Sequence, residues 1–172
     1  MDGERLTEGG DSVLGLNRTE RLLIWSLRHL VLRQGEPCAL VAREFADACH
    51  DGADDALATF RVLIEVTART ARSRIRIGRP GWPELTGDER RLLALLGAAQ
   101  TDDRPTFDAL LSWFTRHEVR HELSLVVHAM AMTLAAHDLW LSFSPPPAAV
   151  ASWPLGPVGA SRSPSTNPRD LD

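Results

Sequence analysis

The sequence predicts an all-α fold, a compact bundle of about six helices over residues 16 to 143, and three observations carry that expectation. Apolar residues recur at helical spacing along most of the chain. Capping signals and Gly or Pro breaks divide it into pieces of helical length. No run of alternating apolar and polar residues is long enough to build a sheet. Around this domain, residues 1–15 read as a flexible leader, and residues 144–172 as a low-complexity, Pro/Ser-rich tail expected to stay disordered or to pack loosely.

The elements follow in order. Asn17 is a helix N-cap, and Glu20 three residues on completes a capping box. The helix runs through Gln34, with Gly35 as its stop and Leu23, Leu27, Leu30 and Val31 as its core stripe. Trp25 and Leu32 fall on the other side of it, beside Arg18, Arg21 and Arg28. Pro37 is expected at the first position of a second helix, which reaches about His50 and turns at Asp51-Gly52. The third spans about Ala53 to Ser73, with Leu57, Phe60, Ile64, Ala68 and Ala71 on one face.

Residues 74–83, "RIRIGRPGWP", break the pattern. Ile75 and Ile77 alternate with arginines, but Pro80, Gly81 and Pro83 limit this to a short extended piece. Thr86 and Glu89 form a second capping box before the fourth helix, Pro105 marks the start of the fifth, and the sixth covers about Arg116 to Asp138. Val119, Leu123, Val126, Val127, Met130 and Leu134 define its buried face.

Composition narrows the function classes. Hydrophobic residues make up 44% and charged residues 24%, the balance of a soluble globular domain. The net charge of −4 is too small to point to nucleic acid or an anionic membrane. All nineteen basic residues are arginine, and tyrosine is absent. With abundant Ala, Gly and Pro, this is the codon bias of a GC-rich, bacterial genome, so clustered arginines need no phosphate ligand to explain them. The N-terminus lacks the basic start and apolar run of a signal peptide, and two cysteines read as reduced thiols fit a cytoplasmic protein. Residues 123–143 have the length of a membrane span, but His128, His137 and Asp138 would be costly in lipid, so a buried bundle helix is expected instead. Cys38 and Cys49, on one helix, would sit about 16 Å apart along its axis, too far for a disulfide. Cys38 falls in the first helical turn, where the dipole favours a thiolate, although a small buried hydrophobe is the ordinary role of such a cysteine.

One motif carries potential chemistry. His117-Glu118-Val119-Arg120-His121 fits H-E-x-x-H and resembles the metal helix of the zincin metalloproteases. The resemblance implies His117 and His121 as zinc ligands and Glu118 as general base. It covers five residues. Arg120 would place a cation beside the metal, Ser124 and Val127 stand where a metzincin extension needs Gly and His, and no glutamate follows Glu122 to complete a gluzincin set. Thr115 and Glu118 also read as a capping box, which makes Glu118 a helix cap and leaves both histidines on the outer surface.

A second cluster, Arg69, Arg72, Arg74, Arg76 and Arg79 with Trp82 nearby, suggests nucleic-acid contact. It equally suits a solvated helix C-terminus. No phosphate-binding loop, dinucleotide fingerprint or nucleophile elbow is present.

The functional expectation is a non-enzymatic protein-protein interaction, regulatory or adaptor domain, without cofactor or metal. Trp25, Leu32 and Arg28 would be its contact residues, and the occupant an unidentified protein or a second copy of the chain. Trp25 and Leu32 should be covered by the tail around residues 150–158, a neighbouring helix or that second copy, since burial of each would gain on the order of 1.5–3 kcal/mol. The alternatives are a zinc-dependent hydrolase using His117, Glu118 and His121, and nucleic-acid binding through the segment Arg69 to Arg79.

Overall fold

The computed structural model describes residues 12–142. They form a bundle-like, all-α arrangement in which no strand occurs; extended pairing among the described residues is limited to the isolated bridges Ser12–Glu84 and Ala71–Thr115. The expected tail, and the leader up to residue 11, lie outside the described residues. The end of that leader departs from expectation. Residues Val13–Gly15 form a 3-10 turn capped by Ser12, and the Val13 N–H donates to the Pro83 carbonyl at 2.8 Å.

Helix α1 (Arg18–Leu32) starts at the expected capping box: Asn17 Oδ1 accepts from the Glu20 N–H, and Glu20 Oε2 accepts from the Asn17 N–H. It ends where Gln34 and Gly35 turn left-handed, at φ 56° and 89°, and the Gly35 N–H closes on the Leu30 carbonyl at 2.7 Å. Helix α2 (Ala39–Cys49) begins two residues after Pro37, with Cys38 as its N-cap, so the proline precedes the helix instead of opening it. A 3-10 turn, His50–Gly52, leads into α3 (Ala53–Thr70). After the segment 71–86 come α4 (Gly87–Gln100), α5 (Arg104–Phe114) and α6 (Arg120–Ala136).

The bundle centres on α6, which packs mainly against α3 and α4; α2 covers α3, and α5 covers α4. Leu123, Val127, Met130 and Leu134 of α6 are fully buried, beside Leu23, Leu27 and Leu30 of α1, Phe60 of α3 and Leu92 and Leu96 of α4.

The buried face of α3 is not the expected one. Beyond Phe60, it continues through Leu63, Val66, Thr67 and Thr70 instead of Ile64, Ala68 and Ala71. Both stripes share Leu57 and Phe60, and the threonines decide between them. Thr67 Oγ1 donates to the Leu63 carbonyl at 2.6 Å and Thr70 Oγ1 to the Val66 carbonyl at 2.8 Å. With its hydroxyl satisfied inside its own helix, a threonine presents a methyl group to the core at little polar cost. Ala68 is therefore exposed, and Ile64 and Ala71 are only partly buried, Ile64 at the margin of the core. Val31 of α1 is likewise 44% exposed, although its spacing assigned it to the core.

Candidate functional site

The His117–His121 stretch is divided between two elements. His117, Glu118 and Val119 form a 3-10 turn, and α6 starts only at Arg120. A 3-10 turn advances about 120° per residue against about 100° in an α-helix, so His117 and His121 lose the shared helical face the motif requires. Both histidines are exposed, as expected on the surface, but Glu118 caps nothing: neither the turn nor α6 has a side-chain cap bond. Thr115 is occupied elsewhere. It is fully buried and donates its hydroxyl to the Thr70 carbonyl at 2.9 Å, tying the end of α5 to the end of α3. Among the described residues, no three His, Cys, Asp or Glu side chains come together as a metal-binding group.

The contact residues expected on α1 also separate. Leu32 is 69% exposed, whereas Trp25 is partly buried against the core and tilted over the His29 ring at 4.0 Å between centroids. Arg28 is no rim residue. It is buried and bonded bidentately to Glu89, Nε to Oε1 at 2.7 Å and Nη2 to Oε2 at 2.9 Å. Its remaining donors reach the Trp82 and Glu84 carbonyls at 2.6 Å each. Glu89 in turn accepts from the Gly78 N–H at 3.0 Å and the Thr86 N–H at 2.8 Å. Burial alone would raise the Glu89 carboxyl; the bonds from Arg28, Thr86 and Gly78 outweigh it and hold the group below its ordinary value. Both ends of the segment 78–86 are thus pinned on one buried ion pair.

Against this segment lies an apolar groove of about 290 Å³, near the small end of the range for ligand sites, about 300–1,000 Å³. Leu27, Leu92 and Phe114 form its floor. Val31, Ile64, Ala68 and Ala71 line its walls, the very side chains whose spacing had placed them in the core. Ile75 and Ile77 complete it from the connecting segment, with Arg74 at the edge.

The basic cluster divides as well. Arg69 pairs bidentately with Glu122 of α6, and Arg72 Nη1 donates to the Ser112 carbonyl at 3.0 Å. The Arg74, Arg76 and Arg79 side chains are exposed and make no hydrogen bond or ion pair with a described residue. Of the cysteines, Cys49 is buried and Cys38, at the start of α2, is half-buried; both are free thiols. The backbone N–H of Val41 lowers the Cys38 pKa, with Arg33 adding to the effect, while burial raises that of Cys49.

Sequence reasoning missed both the Arg28–Glu89 pair and the groove. The pair joins residues 61 apart, beyond any helical register. The groove did leave a trace in the alternation of Arg and Ile over residues 74–77.

Comparison with known proteins finds no match to a family model, a curated protein or a solved structure. No helix among the described residues is long and apolar enough to cross a membrane.

Proposed function

We propose that this chain is a non-enzymatic binding protein, a small regulatory or adaptor domain of the bacterial cytoplasm that acts by holding another polypeptide in its apolar groove. One observation carries this reading. Val31, Ile64, Ala68 and Ala71 have core spacing in the sequence, yet all four line an open groove, Ile64 with one side packed on the core and Val31 and Ala68 exposed. Apolar walls open to water favour an apolar occupant. Leu32 extends the exposed apolar surface of α1, whereas Arg28 and Trp25 serve the domain's interior.

The test is a photo-crosslinking residue at Ala68, in the cells that make the protein. The reading expects a crosslinked polypeptide that disappears when Ile64 is changed to Glu. Crosslinks to small molecules alone, or none, would contradict it. A second reading, nucleic-acid contact, is favoured by the exposed guanidinium groups of Arg74, Arg76 and Arg79 and by Trp82, which is 54% exposed. A gel shift that weakens steeply with salt and is lost on neutralising these arginines would support it.

A further inference from the structure

We infer that the groove takes a partner's peptide as an added, extended strand beside Ile75 and Ile77, with apolar residues alternating with Asp or Glu. This rests on the polypeptide-binding reading above and specifies the occupant.

The first argument is the direction of the backbone. The Arg76 N–H donates to Asp88 Oδ2 at 2.7 Å, and the Arg76 carbonyl accepts from Thr86 Oγ1 at 2.7 Å. The Gly78 N–H donates to Glu89 on the same side. Along extended chain, the polar groups of successive residues face opposite sides, so Ile75 and Ile77 turn theirs away from α4. Neither isoleucine's N–H or carbonyl bonds to a described residue. Burial alternates in step: Arg74 and Arg76 are exposed, Ile75 and Ile77 half-buried. Among the described residues this edge is unpaired, as an edge that accepts a strand must be, and Asp88, Thr86 and Glu89 hold it in register.

The second argument is charge. No Asp or Glu occurs from residue 66 to 83, whereas five arginines do, in a chain of net charge −4. Arg69 and Arg72 are engaged within the fold, whereas Arg74 at the rim of the groove and the exposed Arg76 beside it have no hydrogen bond or ion pair from their side chains to a described residue. A strand added at this edge places alternate side chains on the two faces. Those on the isoleucine face enter the groove past Arg74 at its rim, and those between them meet Arg76, and the two guanidinium groups select carboxylates. An apolar cavity of about 150 Å³ holds a benzene-sized group; at about 290 Å³ the groove admits two such side chains.

The experiment measures fluorescence anisotropy on the full chain with fluorescein-labelled octapeptides. One alternates valine or leucine with glutamate. The second has the same composition at helical spacing, and the third replaces glutamate by lysine. The alternating acidic peptide should bind best, and Arg74→Glu with Arg76→Glu should weaken it by about tenfold, since two attractions become repulsions. Methylating alternate peptide nitrogens should abolish binding in one register only. Equal or better binding of the helical peptide would overturn strand addition while leaving the polypeptide-binding reading standing. Binding unaffected by the charge reversal overturns the proposal. So does no binding, whether the groove is closed or filled by a second copy or by another part of the chain. Circular dichroism of the variant confirms that loss of binding is not loss of fold, and Arg74→Lys with Arg76→Lys should retain most of the affinity.

Discussion

Arg28 and Glu89 form a two-point ion pair, fully buried, that joins α1 to the start of α4 and gathers five backbone groups of the segment between α3 and α4 around it. Such a pair contributes modestly to net stability because desolvation opposes it, but losing one partner is costly. Glu89→Gln should cost about 3–5 kcal/mol in chemical denaturation, as Arg28 is left buried without its counter-charge. A loss below about 1 kcal/mol would show that the segment stands without the pair.

The same carboxylate predicts a pH dependence. The folded-state pKa of Glu89 lies below its unfolded value, about 4.3. Its contribution is therefore fully present above that value and is lost as pH falls through the folded pKa. The wild-type chain should lose stability below about pH 4.3, and Glu89→Gln should flatten part of that slope. Parallel acid titrations of unfolding midpoints check this.

Gly78 is where the segment passes closest to the pair. A Cβ there would sit 2.8 Å from Arg28 Nη2 and 2.9 Å from Cζ, and this guanidinium is held on every side. Gly78→Ala should cost about 1–3 kcal/mol, the range for overpacking. Gly81→Ala is the comparison: its φ of 80° strains an alanine, but open space surrounds it. Gly78→Ala should disturb Arg28 resonances by NMR, and Gly81→Ala should not.

The two thiols should separate by pH. Cys38 is accessible with a lowered pKa, and Cys49 is buried with a raised one. Iodoacetamide should modify Cys38 first, with a rate midpoint below the ordinary thiol value of about 8.5. Cys49 should react only on unfolding. Mass spectrometry of a timed alkylation reads both sites.

Leu123 and Leu125 on α6 test the core directly, one fully buried and the other 59% exposed. Leu123→Ala should cost about 2–5 kcal/mol, and Leu125→Ala less than about 0.5 kcal/mol.

How far this fold was legible depended on the range of the interactions. The capping boxes at Asn17–Glu20 and Thr86–Glu89 use residues three apart, and both form as the sequence indicates. Thr115–Glu118 has the same local pattern and does not cap, because Thr115 is drawn into a bridge with the distant end of α3. Periodicity found the buried face of α6 and Leu23, Leu27 and Leu30 of α1, but it placed Val31 inside and Arg28 outside. It also misjudged α3, where threonines with self-satisfied hydroxyls took the core and Ala68 and Ala71 were turned to the groove. Arg28 was read as a contact residue from its place beside Trp25 and Leu32, away from the core stripe; its partner and its carbonyl acceptors are brought together only by the tertiary fold.

Among the described residues the segment 74–78 is anchored on one side and open on the other, and amide hydrogen exchange by NMR tests this residue by residue. Arg76 and Gly78, bonded to Asp88 and Glu89, should exchange slowly, while Ile75 and Ile77 between them exchange fast. Slow exchange at Ile75 and Ile77 in the free protein would mean that the edge is already occupied, and uniformly fast exchange from 74 to 78 that it is not anchored at all; either result contradicts the account.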